Sequence, residues 1–309
     1  MLDILFLSHT ILRDSLSADL LFLVRDHSSM MSQRSTLDNT SIDTVTFAFR
    51  ASIALNNMAV TMMERRNYRP AYDTLKDAVA AIKMAVPSFT AAESSDTENK
   101  RQKILAMLKQ ANRLISKPHS HHLQCLPPLS STIAISLNVM SHYARPVSGD
   151  GTDFFTLKSS PTKPAMLTLI RVDGTDDVEL LETPDSDRTT TIILYNFAVA
   201  YLCRAKDAKS RAAAQKLHEA GTKLLVFCRH LLDSQYKAVS NDIFQLPQII
   251  FLSTVLLKAL FQALQESGQH EESMTCVSSL ESLRSVSAEI DESSKRFFVD
   301  CSERAAPAA

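Results

Sequence analysis

The stretch LNNMAVTMMERRNYRPAYDTLKDAVAAI, residues 55–82, decides the fold of this 309-residue chain. Its apolar residues recur every three or four positions on both sides of a polar break at residues 65–67, which predicts two amphipathic helices joined by a short turn. Small residues stand inside both helices, at Ala59, Ala71 and Ala78. Because small residues at a crossing let two helices approach to about 8–10 Å, the stretch predicts a tightly packed antiparallel helix pair.

The pattern recurs in LYNFAVAYLCRAKDAKSRAAAQKLHEAGTKL, residues 194–224, with three extra residues in the turn. The aligned pairs are Leu55 with Leu194, Asn57 with Asn196, Met58 with Phe197, Ala59 with Ala198, Val60 with Val199, Ala71 with Ala213, Leu75 with Leu217, Ala78 with Ala220 and Ile82 with Leu224. A weaker third copy follows at residues 257–283, with Gly268 in its turn and with Phe261 and Ser273 at two alanine positions. An internal repeat of this kind is typical of helical arrays.

The repeated pair resembles the tetratricopeptide repeat (TPR), a family of helix pairs about 34 residues long. Leu55 takes the large apolar place early in the first helix of that consensus, and Met58 and Ala59 take the large and small places that follow. Ala71 and Ala78 take the small places of the second helix. The resemblance implies a mainly α fold of antiparallel helix hairpins. It also implies a concave face, lined by the first helix of each pair, that holds peptides.

Transferred position by position, that face carries five polar candidates for partner binding, which are Asn56, Asn57, Glu64, Tyr195 and Asn196. Its apolar members are Ile53, Val60, Ile192, Val199 and Cys203. An amide such as that of Asn57 or Asn196 can hydrogen-bond the backbone of an extended peptide. The alternative is that each amide satisfies backbone groups of the protein itself.

Some TPR proteins clamp the C-terminal carboxylate of heat-shock chaperones with Lys and Arg on this face. Here the corresponding places hold Asn56, Val60, Tyr195 and Val199. The cations are missing from both clear copies, so the chaperone carboxylate clamp is disfavoured.

Between the two clear copies the apolar period changes from about 3.6 to two. Residues from Thr132 onward alternate apolar and polar, and residues 165–182 predict a hairpin with Asp173 and Gly174 in its turn. We therefore expect a small antiparallel β element inserted in a mainly α protein. The expected segments are a flexible N-terminal arm at 1–40, a TPR-like helix pair plus a basic helix at 41–117, a loop and β insertion at 118–183, a TPR-like array at 184–292 and a tail at 293–309.

The charge, the N-terminal sequence and the lengths of the apolar runs argue against nucleic-acid binding, secretion and a membrane span. The net charge is −1, so the chain lacks the excess of cations with which proteins neutralise nucleic-acid phosphates, and no nucleic-acid partner is expected. The N-terminus lacks the basic leader and small-residue cleavage site of a signal peptide. The longest uncharged apolar runs, 189–203 and 243–257, are shorter than the roughly 18 residues of a membrane span. Five cysteines without a CxxC pair predict a reducing, cytoplasmic location.

Other candidate sites are weaker. The loop PHSHHLQC places His119, His121, His122 and Cys125 together, but without a distant ligand at a familiar zinc spacing, so no metal is expected. The cations of the helix at 98–117 lie largely opposite its apolar stripe, which favours a solvated face. That stripe is expected to comprise Ile104, Leu105, Leu108, Ala111 and Ile115. The sequence contains no P-loop, HExxH, nucleophile elbow or kinase motif, so neither catalytic residues nor a cofactor is assigned.

Three functions follow from these observations. The first is a non-enzymatic protein-interaction or scaffold module that binds a peptide or helix on the concave face. The alternative is an enzyme or small-ligand-binding protein with a site between the β insertion and the helices, for example around His142, Tyr143 and Asp153. The third is a self-associating protein that uses the apolar helix at 249–264 as its contact.

Overall fold

The computed structural model describes residues 39–85, 97–116, 130–136, 167–173, 183–239 and 246–304. These residues form seven helices and a two-stranded sheet, so the prediction of a mainly α protein is confirmed. In chain order the elements are α1 (Asn39–Glu64), α2 (Tyr68–Ala85), α3 (Thr97–Ile115), β1 (Ser130–Ser136), β2 (Leu167–Asp173), α4 (Thr183–Lys206), α5 (Arg211–Val239), α6 (Leu246–Glu266) and α7 (His270–Arg304). The predicted N-terminal arm lies almost wholly outside the described residues.

The chain divides into two compact units, with the boundary between Phe227 and Cys228 inside α5. The first unit contains α1 to α4, both strands and the start of α5, and the second contains the rest of α5 with α6 and α7. The five predicted segments stay a prediction.

The first helix pair packs as the alanines predict. Ala59, Ala71 and Ala78 are all fully buried, and α1 and α2 are in extensive contact. Arg66 ends α1 because it adopts a left-handed conformation with φ of 62°. The Asn67 N–H then donates to the Met62 carbonyl at 2.8 Å, which is the bond that closes a Schellman turn.

The second pair departs from the expected alignment. Ala198 is fully buried, as predicted, but Ala213 is exposed. The small residue at the crossing is Gly221, where an added Cβ would lie 3.1 Å from the Ala198 carbonyl oxygen and 3.0 Å from Leu202. The three extra residues in the turn change which residue of α5 meets α4, so the register predicted from the first copy is wrong at this crossing.

The third helix pair, α6 and α7, repeats the turn of the first. Gly268 has a φ of 77°, and the Gln269 N–H donates to the Leu264 carbonyl at 2.9 Å. This is again a Schellman turn, with glycine where the first pair has Arg66. Ser273 is fully buried at the place of Ala71. The predicted helix pair is confirmed here, with serine as its small residue.

Helix α3 packs on α1 mainly through Ile104, which forms an apolar cluster with Ala48 and Ala51. Leu105, which was predicted in the same apolar stripe, is 42% exposed. It lies one residue past Ile104, which is about 100° further around the helix, and this rotation carries it out of the contact. The Arg65 guanidinium donates to the Ile115 carbonyl at 3.1 Å and so closes the end of α3.

Two helices run further than the apolar pattern predicts. The apolar periodicity predicts ends near Leu232 for α5 and near Ile290 for α7, and the structure ends these helices at Val239 and Arg304. Neither extension contains Gly or Pro, so nothing in the backbone chemistry stops the helix where the apolar periodicity fades.

The two described strands pair in parallel, from Ser130 beside Leu167 to Ser136 beside Asp173. The expected antiparallel pairing is therefore wrong for this pair. Residues 137–166 connect the strands, and a connection this long can return the chain to the same end of the sheet, whereas a tight hairpin cannot. The second strand of the predicted hairpin, after Gly174, lies outside the described residues.

The apolar helix α6 is used within the second unit. Among the described residues, Gln248–Glu266 is one helix with the length and composition of a membrane span, and 61% of its apolar window is buried inside the protein. A buried core helix passes the same test. Most of its leucine and isoleucine side chains, among them Ile249, Leu256 and Leu260, are buried, whereas Phe251 and Phe261 are partly exposed. Most of this apolar surface is therefore not available for the self-association considered above.

Candidate functional site

Strand β2 lies against α1 and α4, and these two helices satisfy one of its edges. Successive residues of a strand direct their N–H and C=O groups to opposite edges. The backbone groups of Thr168, Ile170 and Val172 meet side chains from the helices, so those of Leu169 and Arg171 face β1. One edge of β2 therefore pairs with a strand and the other pairs with side chains.

Two amides take the place of a neighbouring strand. Asn57 of α1 donates to the Val172 carbonyl at 2.8 Å and accepts from the Val172 N–H at 3.0 Å. Asn196 of α4 donates to the Ile170 carbonyl at 2.7 Å and accepts from the Ile170 N–H at 3.0 Å. A side-chain amide has the same donor and acceptor as a peptide group, so each amide binds one residue of β2 at two points.

Asn56 joins these two amides into one network. Its Nδ2 donates to Asn57 Oδ1 at 3.2 Å and to the Ile170 carbonyl at 3.3 Å, and its Oδ1 accepts from Asn196 Nδ2 at 2.8 Å. Asn56 and Asn196 are both fully buried. Because an unpaired buried amide is costly, this network orders α1, α4 and β2 with respect to one another.

The two ends of β2 are held by further side chains. The Tyr195 hydroxyl donates to the Thr168 carbonyl at 2.7 Å. The Arg171 guanidinium donates to Glu64 Oε2 at 2.6 Å and to Thr61 Oγ1 at 3.0 Å. The contacts thus cover the strand from Thr168 to Val172.

Apolar packing fills the rest of this site. Leu167, Leu169, Ile170 and Val172 are all buried, and Leu169 has no exposed surface. Since neighbouring residues of a strand face opposite sides, β2 is buried on both faces, as strands of parallel sheets are. We call the surface of α1 and α4 that surrounds β2, defined by Asn56, Asn57, Glu64, Tyr195 and Asn196, the amide groove.

The sequence of α4 suits its central position. Every residue from 188 to 200 is buried, as expected for a helix that is surrounded by other elements. Its outer end is fixed against α2 by a ring cluster, in which the Tyr72 and Tyr201 hydroxyls are 3.0 Å apart and Phe197 lies 5.1 Å from the Tyr72 ring. Burial, and then the hydrogen bond to Tyr72, raise the pKa of Tyr201 well above its ordinary value.

All five predicted partner-binding residues therefore come together, and all five contact the site that holds β2. The strand they bind belongs to the same chain, which the sequence analysis missed. It also missed Thr61, whose hydroxyl donates to the Asn57 carbonyl at 3.0 Å and accepts from Arg171. The spacing of Thr61, four residues after Asn57, could have placed it on the same face of α1.

The described part of the chain offers little for catalysis or metal binding. It contains no cluster of three potential metal ligands. Cys203, Cys228 and Cys276 are buried and form no disulfide, and burial raises the pKa of the Cys228 and Cys276 thiols, which lowers the fraction of the nucleophilic thiolate. The predicted alternatives around His119–Cys125 and around His142, Tyr143 and Asp153 lie outside the described residues.

The second unit contains a cavity of about 270 Å³ between α5, α6 and α7. Leu232, Leu256 and Val286 are among its apolar walls. Arg229 at its rim donates to the Ser279 hydroxyl at 3.1 Å. The guanidinium is thus held by the protein itself, and the cavity combines an apolar interior with hydroxyl groups and one carboxylate, that of Asp233.

No protein-family model, curated protein or solved structure matches this chain.

Proposed function

We propose that this chain is a non-enzymatic protein-interaction module whose amide groove binds an extended polypeptide by its backbone, as expected of TPR-like helices. The observation that supports this proposal is the two-point bonding of Val172 by Asn57 and of Ile170 by Asn196. These amides contact groups that every peptide carries, and main-chain pairing of this kind underlies recognition by strand addition. In the isolated chain, β2 is the occupant.

A partner strand has to exchange with β2. Removing β2 exposes Leu167, Leu169, Ile170 and Val172, each worth roughly 1.5–3 kcal/mol when fully buried. An incoming strand with apolar side chains at the same places restores that burial, so the exchange is nearly balanced. β2 keeps one advantage over a free partner strand, which is its effective concentration. For a strand held by a short flexible tether this concentration is roughly millimolar.

The proposal includes a reducing intracellular location. Its support is that the thiols of Cys203, Cys228 and Cys276 are buried and form no disulfide, as in proteins of reducing compartments.

The test is a titration of the full chain with a fluorescent peptide of the β2 sequence, LTLIRVD. Truncating Ile170 to Ala weakens the chain's own strand by about 2–5 kcal/mol. We therefore expect weak, roughly millimolar binding to the natural chain and binding at least about thirtyfold tighter to Ile170→Ala. Circular dichroism checks that the variant is folded, and Val172→Ala serves as a second weakened chain.

The control variants place the peptide in the groove. An N-methyl group on the isoleucine nitrogen of the peptide should remove most of the gain, because the peptide then lacks the N–H that Asn196 accepts in the natural strand, while the chain's own strand is unchanged. Asn112→Ala changes an exposed asparagine of α3 and should leave binding unchanged. A folded Ile170→Ala chain that does not bind the peptide would refute the proposal, as would peptide binding that N-methylation of the peptide's isoleucine leaves unchanged.

A further inference from the structure

We propose that the amide groove selects strands that carry a cationic side chain at the position of Arg171, and that Glu64 and Thr61 bind this side chain. This inference rests on the proposed function and names the class of partner. The partner is an extended segment with apolar residues at the places of Leu169, Ile170 and Val172 and with a cation between the last two.

Arg171 interrupts an apolar strand. The residues on both sides of it, Ile170 and Val172, are each 1% exposed, whereas the Arg171 side chain is 30% exposed. An apolar residue at this place could not pair with a carboxylate. The guanidinium makes an ion pair with Glu64 at 2.6 Å, so the groove provides a charged contact at the position of Arg171.

The two acceptors are held on the same face of α1 as the amide. Asn57, Thr61 and Glu64 are spaced four and three residues apart, which places them in a row along a helix. The Thr61 hydroxyl is fixed by its bond to the Asn57 carbonyl at 3.0 Å, and it accepts from the same guanidinium nitrogen as Glu64. The residue that binds the backbone of the strand and the two residues that bind its cation therefore lie in one row along α1.

The neighbouring cation on α1 does not compete for this carboxylate. The Arg65 guanidinium is directed to the carbonyl of Ile115 at the end of α3. Glu64 is therefore available to a cation carried by the strand in the groove, and its own side chain is 37% exposed.

The expected selectivity is modest, because both partners are partly exposed. A pair of this kind contributes little in water, so replacing the arginine by glutamine should weaken binding about two- to fivefold. Glutamate at the same place brings two carboxylates together and should weaken binding about tenfold or more. Raising the salt concentration should shrink both differences, because exposed charges are screened.

The experiment titrates the full Ile170→Ala chain with three peptides, LTLIRVD, LTLIQVD and LTLIEVD. We expect affinity to fall in that order, and Glu64→Lys should reverse the order between the first and the last. Glu281→Lys, at an exposed carboxylate of α7, is the matched control and should keep the original order. Equal binding of all three peptides to every chain would overturn the selectivity and leave the proposed function standing.

A second measurement needs no added peptide. In the intact chain, Arg171→Glu should speed hydrogen exchange at the Val172 amide, and adding Glu64→Lys should restore most of the protection. If adding Glu64→Lys does not restore the protection of the Val172 amide, Glu64 does not bind the side chain at position 171. If none of the peptides binds any folded chain, the proposed function fails, and the inference fails with it.

Discussion

Replacing Asn196 by Ala removes the amide that binds Ile170. The natural side chain makes three hydrogen bonds, of 3.0 Å from the Ile170 N–H, 2.7 Å to the Ile170 carbonyl and 2.8 Å to Asn56 Oδ1. The Ile170 carbonyl keeps its 3.3 Å bond from Asn56. The Ile170 N–H and Asn56 Oδ1 lose the partners described here, and Asn56 is fully buried.

The two groups that lose a partner, the Ile170 N–H and Asn56 Oδ1, determine how much stability is lost. Each buried polar group left without a partner costs about 1–3 kcal/mol. We expect Asn196→Ala to lower the free energy of unfolding by about 3 kcal/mol, toward the lower part of the summed range, because the shorter side chain leaves room for water to reach one group. An exposed substitution without such contacts stays within about 0.5 kcal/mol.

Urea denaturation followed by circular dichroism measures this loss. With a slope typical of a chain of this size, the midpoint should fall by about 1 M, and the slope itself should not change. Asn112→Ala, which removes an exposed amide of α3, is the matched control and should shift the midpoint by little. A loss below about 0.5 kcal/mol for Asn196→Ala would mean that the amide network does not hold the strand.

Three further predictions concern other parts of the fold. Tyr68→Phe should raise the free energy of unfolding by about 1 kcal/mol in a urea titration, since the buried hydroxyl has no hydrogen-bond partner among the described residues; a loss would show that the hydroxyl stabilises the fold. Gly268→Ala should destabilise by about 1 kcal/mol through backbone strain alone, because φ is 77° and no atom of the described part of the chain lies within 4 Å of the new Cβ; an unchanged melting temperature would contradict this. Burial lowers the pKa of His230, so the unfolded chain takes up a proton at a higher pH than the folded chain does, and stability falls as the pH drops below the ordinary histidine pKa of about 6.5; His230→Gln should flatten that fall in urea titrations, and an identical pH profile would refute the assignment.

Much of the helical fold follows from local pattern. Ala59, Ala71 and Ala78 predict the α1–α2 crossing, and all three are buried, because the spacing of small and large residues along a helix records which face is packed. The same reasoning fails at Ala213, which is exposed. There the crossing depends on the length of the preceding turn, and Gly221 takes the place that the alignment assigned to alanine.

The candidate site was predictable in part. The equivalent positions of Asn57 and Asn196 in two copies indicate a shared face, and an amide on a packed face predicts a backbone partner. The partner itself is distant in the chain, since Asn56 and the Ile170 carbonyl are separated by 114 residues. Local pattern carries no information on which distant segment enters the groove.

The pairing of the strands was also beyond local pattern. The alternation of apolar residues predicts that β1 and β2 are strands, but it is the same for both pairing directions. The strands pair in parallel, and a connection as long as residues 137–166 permits this arrangement, whereas a tight hairpin would not. Because the amides satisfy the second edge of β2, that edge needs no neighbouring strand.

Hydrogen-bond scalar couplings measured by NMR on the deuterated natural chain test the central claim most directly. If amide side chains replace a neighbouring strand, the Ile170 amide nitrogen should couple to the Asn196 side-chain carbonyl carbon, and the Val172 nitrogen to that of Asn57. Couplings from these two nitrogens to backbone carbonyls, or amide exchange as fast as in an unfolded chain, would contradict the account.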